Sequence, residues 1–143
     1  MLERQIRSYM SERGSVFRAL VFDSVDSTNT VLAGLAREGA EEYTAVIAGA
    51  QTAGRGRGEH KFFSPAGCGV YFSLLLRPRI PAEAAAKLVP PACAVAAAEA
   101  IENVSGETAG IKWVNDVFLR GRKVCGILTE AAPDGRGGPV SYT

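Results

Sequence analysis

The stretch Gln51–Gly67 limits what this chain can fold into more than any other. It has no helical period, and two apolar runs that read as strands flank it, Thr44 to Ala50 and Gly69 to Arg77. At its centre, Gly54-Arg55-Gly56-Arg57-Gly58 alternates glycine with arginine. Such glycines let a backbone approach a ligand closely and turn N–H groups inward, while guanidinium forks suit a carboxylate or a phosphate. A long loop of this kind between two strands implies a sheet protein with a functional loop. It is not a dinucleotide fingerprint, because no helix opens after it and the third glycine is misplaced. It is not a Walker loop, because no Gly-Lys-Ser/Thr follows. A flexible surface loop with solvated arginines has the same composition, so the pentapeptide alone does not decide.

The rest of the chain supplies the frame. Leu2, Ile6 and Met10 recur every four residues and predict a short amphipathic helix. Val16 to Phe22 reads as a strand. After the turn residues Asp23 to Ser27, a helix carrying Val31, Leu32 and Leu35 is capped by Ser27 or Asp26 and stops at Gly39. Pro81 to Asn103 is alanine-rich and helical, with Pro81 as first helical residue. Pro90-Pro91 should break or kink it, giving two helices. Ala109–Trp113 and Asp116–Leu119 are strand pieces around a bend, and Val117–Thr129 is a hairpin turning at Arg120-Gly121. A turn at Pro133-Asp134-Gly135 precedes a strand-like start at Val140. The expected fold class is α/β (α+β): a mixed, mainly antiparallel sheet with helices packed on it.

Composition narrows the function classes. A chain of 143 residues, 47% hydrophobic and 22% charged, fits one globular domain. A formal net charge of +1 argues against a general polyanion binder, so no nucleic-acid partner is expected. Cys68, Cys93 and Cys125 are far apart and odd in number, which reads as three reduced thiols. With His60 as the only histidine, no metal-ligand set is expected. The N-terminus has no apolar core of signal-peptide length, and Leu88–Ala98 is proline-interrupted and too short to span a bilayer. The expectation is a cytoplasmic protein with no membrane partner.

Two further segments carry chemistry. In Lys112-Trp113-Val114-Asn115-Asp116, with Lys123 across the hairpin turn, a lysine at a strand start can place a point charge on a phosphate. Asp116 could hold that lysine or receive a proton. Taken alone, these residues favour a surface hairpin with an ordinary Lys–Asp pair and a half-buried Trp113. Asp26-Ser27-Thr28-Asn29 is a helix cap by itself, yet a helix N-terminus also offers N–H groups and hydroxyls to a polar ligand.

Taken in order, the segments are more specific than any one alone. Asp-Ser-Thr-Asn, a strand, Gln-x-x-Gly-Arg-Gly-Arg, Phe-x-Ser-Pro, Lys-Trp-x-Asn-Asp and Lys-x-x-Gly-Ile-Leu-x-Glu follow one another from about Phe22 to Glu130. This series resembles the biotin–protein ligase family. The resemblance implies an α/β domain related to class II aminoacyl-tRNA synthetases and lipoate–protein ligases. It implies that biotin and ATP, as its Mg2+ complex, form biotinyl-5′-adenylate and pyrophosphate, and that biotin then passes to one lysine of a biotin carboxyl-carrier protein.

By position, Ser27, Thr28 and Asn29 match the segment lining the biotin pocket, and Gln51 its polar wall. Gly54, Arg55, Gly56 and Arg57 match the adenylate-binding loop. Lys123 matches the lysine that meets the biotin carboxylate and phosphate, and Asp116 the acid that helps the acceptor lysine react. Lys112 and Asn115 match nucleotide-side positions, and Gly126 a glycine whose backbone lies against biotin. Arg57, Lys123, Asp116 and Lys112 are the catalytic set so implied.

Departures from the pattern are Glu59 and His60, where the family has a glycine and a cation, and Val114, where it has proline. A lipoate or octanoate ligase or transferase shares the scaffold, and a biotin-binding fragment without turnover is the non-enzyme reading. The 143 residues are expected to form a single catalytic domain, incomplete at its C-terminus and without an N-terminal winged helix-turn-helix. The Val124–Thr129 strand would then keep an open edge, with weak ligation and edge-to-edge homodimerisation as consequences.

Overall fold

The computed structural model describes Ile6, Ser8 and residues 17–133 and 139–142. Ile6 and Ser8 are helical; the remainder of the helix expected over Leu2–Met10 lies outside the described residues. The chain divides into two compact units, Met1–Pro78 with Glu130–Thr143, and Arg79–Thr129.

The first unit is built on a five-stranded sheet in the order β1-β2-β3-β8-β7. Its strands are β1 (Arg18–Phe22), β2 (Thr44–Ala48), β3 (Tyr71–Leu76), β7 (Glu130–Pro133) and β8 (Pro139–Tyr142). Only β1 and β2 are parallel; the other pairs are antiparallel. A parallel pair needs a crossover, and helix α1 (Thr28–Arg37) supplies it. Leu32 and Ala36 of α1 close on Val46 of β2 and Leu75 of β3 to make the core, with Val31, Ala33, Leu35 and Ala40 around it. Strand β3 alternates: Tyr71, Ser73 and Leu75 are buried while Phe72 is exposed. This puts a serine on the helix-facing side of the sheet, directly across from Val46.

Helix α1 ends as its sequence predicts. Gly39 takes φ 91°, its N–H donates to the Ala36 carbonyl, and the Ala40 N–H reaches back to Leu35 at 2.9 Å. That pair of bonds is the Schellman arrangement, which a glycine adopts without steric cost. The start of α1 differs from expectation. Ser27 is the N-cap residue, but no side chain at the cap closes a capping bond.

The second unit holds helix α2 (Ala82–Ser105) and a three-stranded antiparallel sheet, β4 (Gly110–Lys112), β5 (Asp116–Leu119) and β6 (Arg122–Gly126), in that order. Here α2 corrects the sequence reading. It is one 24-residue helix with Pro90 and Pro91 inside it, and Pro81 is its N-cap rather than its first residue. Each interior proline removes a backbone donor at a cost of roughly 3 kcal/mol or more, and the surrounding alanines, the best helix formers, offset it. The prolines still leave a mark. Ala85 and Val89 are buried before them, and Ala94 and Ala98 after them. At 3.6 residues per turn these pairs lie on nearly opposite faces, so the buried stripe changes sides at the prolines.

The stretch read as too short for a bilayer belongs to this helix, which by length and composition alone is long and apolar enough to cross one. Within its unit α2 packs against β4 and β5.

The β5–β6 hairpin turns at Arg120 (φ 51°) and Gly121 (φ 73°), the double positive φ of a tight two-residue turn. Strand β6 ends at Gly126 rather than running on to Thr129, and it is the edge of its sheet among the described residues.

Candidate functional site

In the first unit, the glycine–arginine segment is more ordered than a loop. The Phe62 N–H donates to the Gly54 carbonyl at 2.8 Å, the Gly56 N–H donates to His60 at 2.7 Å, and Arg55 pairs with Lys61 across the gap. The segment is therefore a small hairpin, turning at Gly58 with φ 67°. Gly54 is required for close packing: a Cβ there would stand 2.4 Å from the Phe62 carbonyl oxygen and 2.8 Å from Ser64 Oγ. Its missing side chain is used inside the hairpin.

Gln51 ties this hairpin to the start of α1. Its Oε1 accepts from the Thr28 N–H at 2.8 Å and from Thr28 Oγ1 at 3.1 Å, and its Nε2 donates to Ser64 Oγ at 2.9 Å. One orphan donor of the first turn, the Thr28 N–H, is thus met by a glutamine 23 residues away. Both lone pairs of that amide oxygen are used, and one Nε2 hydrogen is left over.

The chain of bonds continues through buried Ser73, whose hydroxyl faces Thr28 Oγ1 at 2.8 Å and also Asn29 Oδ1. Asn29 Nδ2 then donates to Glu130 Oε2 at 2.8 Å, and the same oxygen accepts Arg55 Nη2 at 2.8 Å. Arg55 Nη1 closes the set on Thr30 Oγ1 at 2.7 Å.

Of the residues the sequence singled out, this unit brings together Ser27, Thr28, Asn29, Gln51, Gly54 and Arg55, with Gly56 in the same hairpin. Ser27 is buried, and its hydroxyl closes no capping bond. Arg57 is exposed and makes no ion pair with the described residues. Ser64, Ser73 and Glu130 had no assigned role. The signal for Ser73 was a polar residue at an inward position of an alternating strand. Ser64 and Glu130 stood inside quoted motifs.

The second unit lines up three more. Lys112 of β4 is paired with Asp116 of β5, and Asp116 with Gly126 of β6, in one row across the sheet. The tight turn pairs Leu119 with Arg122 and Phe118 with Lys123, so Lys123 shares the face of Asp116. Regular pairing from there would put Cys125 opposite Asp116. An irregularity between Val117 and Phe118 adds one residue to β6 and puts Gly126 there instead.

Lys123 Nζ lies 2.7 Å from Asp116 Oδ1, an oxygen that is buried and otherwise unpartnered. The contact is an ion pair rather than an aligned hydrogen bond. Asn115 is spent on the backbone of Ile127: its Nδ2 donates to the Ile127 carbonyl at 3.0 Å, and its main-chain carbonyl accepts the Ile127 N–H. Trp113, read as half-buried, is 80% exposed, so the bend is not anchored by its indole.

The thiols are free. Burial pushes the Cys93 thiol above the usual range. Burial does the same to Cys125, with Asp116 adding to it and the Lys123 ammonium opposing it. Because the thiolate is the reactive form, the exposed Cys68 should be alkylated by N-ethylmaleimide several-fold faster than either. Peptide mapping over time would check this, and equal rates at all three would contradict it.

Comparison with known proteins follows this geometry. The model of the biotin/lipoate A/B protein ligase family matches residues 21–140. The chain belongs to that family. It is 44% identical over 108 residues to a Bacillus subtilis protein named bifunctional ligase/repressor BirA, covering 76% of this chain and 33% of that one. It is 43% identical over 114 residues to a biotin–[acetyl-CoA-carboxylase] ligase of Paracoccus denitrificans, covering 78% and 46%. Among solved structures, a biotin protein ligase from Aquifex aeolicus in complex with biotin and ATP superposes with a TM-score of 0.68 at 30% identity, over 87% of this chain and 50% of that one. The chain thus spans a third to a half of the length of these relatives. The expected fold class stands: mixed strands, mainly antiparallel, with packed helices, in the class II synthetase-like arrangement of the biotin protein ligases.

Proposed function

We propose that this chain carries out ATP-dependent ligation of biotin to a lysine of a biotin carboxyl-carrier protein, through biotinyl-5′-adenylate. One observation carries the choice of biotin within the family. The polar groups that Ser27, Thr28, Gln51, Ser64 and Ser73 bring to the start of α1 are neutral amides and hydroxyls, most of them buried and already paired. The Ser27 hydroxyl and one Gln51 N–H remain for a ligand. A ureido head is neutral and carries both donors and an acceptor, so it satisfies such groups. A lipoyl or octanoyl chain is apolar there and would leave them unpaired, and a site built to hydrogen-bond its substrate rejects an analogue that cannot. The name of the Paracoccus denitrificans relative agrees with biotin.

In the first step a biotin carboxylate oxygen attacks the α-phosphorus of ATP and pyrophosphate leaves. Two anions must approach, and preplaced cations lower that barrier. Arg57 and Lys123 take this role, with Lys112 on the nucleotide side. Magnesium would enter as the MgATP complex and offset the charge of the remaining phosphates. In the second step the acceptor lysine amine attacks the acyl carbon and AMP leaves. Asp116 receives the amine proton once Lys123 has turned to the phosphate. The hairpin at Gly54–Phe62 shields the mixed anhydride from water. A cytoplasmic setting suits the three free thiols.

The test is incubation with biotin, MgATP and a biotin carboxyl-carrier domain, read by intact mass. One biotinyl group on one carrier lysine is expected. Transfer of a lipoyl or octanoyl group instead, or biotin binding without transfer, would overturn the reading.

Arg57→Gly should release adenylate rather than stop its formation. The side chain is exposed and uncommitted, so its loss disturbs nothing else in the hairpin. Biotin incorporation into a bystander protein should rise severalfold at matched adenylate production, with biotin affinity little changed. No rise would remove Arg57 from the phosphate.

A further inference from the structure

Two arginines alternate with the glycines of the hairpin, and their surroundings differ. Arg57 is exposed and uncommitted. Arg55 is held at both ends of its guanidinium, by Thr30 Oγ1 at 2.7 Å and Glu130 Oε2 at 2.8 Å. Glu130 Oε2 also accepts from Asn29 Nδ2 at 2.8 Å. One carboxylate oxygen therefore joins the second residue of α1 to the hairpin, from the first residue of β7, 101 positions along the chain from Asn29.

We propose that Glu130 is a positioning residue: its carboxylate orients Asn29 and Arg55 together, and Arg55 so held straps the hairpin to α1, leaving Arg57, of the two arginines, for a ligand anion. This rests on the reading of the α1 start as the biotin site.

The energetics favour orientation over stability. The side chains of Arg55 and Glu130 are 42% and 32% exposed, and an ion pair that open to water contributes little to folding. Geometry is where it acts. Asn29 has its Oδ1 against Ser73 and its Nδ2 on Glu130, so the carboxylate fixes which way the amide faces. Arg55, neutralised by Glu130, offers less charge to a phosphate than its sequence position suggests. The shared oxygen is charged, so both bonds are of the stronger, charge-assisted kind. Glutamine at 130 keeps the shape but loses the charge and presents an amide N–H2 that repels both donors in one rotamer.

The experiment compares the full chain with Glu130→Gln, Glu130→Ala, Arg55→Ala and the Arg55→Ala/Glu130→Ala pair. Trypsin reports the strap without any ligand: Glu130→Gln should be cut several-fold faster after Arg57, a site every variant keeps, with the thermal midpoint nearly unchanged. Biotin KM should rise about tenfold in both Glu130 variants, while ATP KM moves far less. The double variant should be no worse in trypsin sensitivity than Arg55→Ala, because the two residues act as one unit. A purely structural role would instead lower the thermal midpoint and leave both KM values unchanged. Wild-type cleavage rates in Glu130→Gln, or additive effects in the double variant, would overturn the proposal. If the wild-type chain takes no biotin, the ligase reading fails, and the trypsin comparison still decides the strap.

Discussion

Lys123→Ala should lower biotinyl-adenylate formation by at least about a hundredfold, the usual loss when one preplaced group facing developing charge is removed. Lys123 belongs to the β5–β6 hairpin. Its two-residue turn puts Lys123 on the face of Asp116, where the ammonium is 43% exposed and the carboxylate is the more buried partner. The lysine can therefore swing to a ligand anion while Asp116 stays in place. Without it, biotin carboxylate and α-phosphate meet with one cation fewer. The same change leaves Asp116 Oδ1 buried with no countercharge, so some lost activity could be lost folding. Lys123→Ala/Asp116→Asn separates the two causes: stability should recover and adenylate formation should not. Recovery of adenylate formation in the pair would move Lys123 from the chemistry to the scaffold.

Gln51→Ala should cost both stability and biotin affinity. The side chain makes three bonds, and two of them end on buried Thr28, including the first free N–H of α1. Truncation leaves that N–H without a partner, while Ser64 Oγ keeps its bond to the Phe62 carbonyl. A buried donor left unmade costs roughly 1–3 kcal/mol, which for a chain of this size is a fall of several degrees in thermal midpoint. Biotin binding should weaken about tenfold or more, since the leftover Nε2 hydrogen is lost and Thr28 is no longer fixed. Thr28→Val should share the stability loss only in part, because its N–H still reaches Gln51. Calorimetry and thermal melts give both quantities. Unchanged biotin affinity in a destabilised Gln51→Ala would make this glutamine a helix cap and nothing more.

The elements with one dominant local signal were legible in the sequence. The apolar runs of β2 and β3, the Gly39 stop of α1 and the Arg120-Gly121 turn each follow from residues within a few positions. Helix α2 was misread because the proline pair is a strong local signal, and the long alanine-rich context that overrides it is a sum of small ones. Strand β7 was not marked as a strand; among the described residues it pairs with β8 alone, and pairing is not written in four residues.

At the site, the positions of Thr28, Asn29, Gln51 and Arg55 were visible from motif order, but their connections were not. That Gln51 caps a helix 23 residues earlier, and that Glu130 reaches Asn29 across 101 positions, depends on β-sheet register. Ser73 is the plainest case. Its polarity at an inward position was in the sequence all along, and only the approach of α1 explains it.

The most direct test of the account is biotin-dependent exchange of labelled pyrophosphate into ATP, measured with this chain, MgATP and either biotin, lipoate or octanoate. Adenylate formation is the only step the assay needs, so no carrier enters. The account predicts exchange with biotin, little with the other two acids, and none with Lys123→Ala. Exchange supported by lipoate or octanoate but not by biotin, or none with any acid, would contradict it.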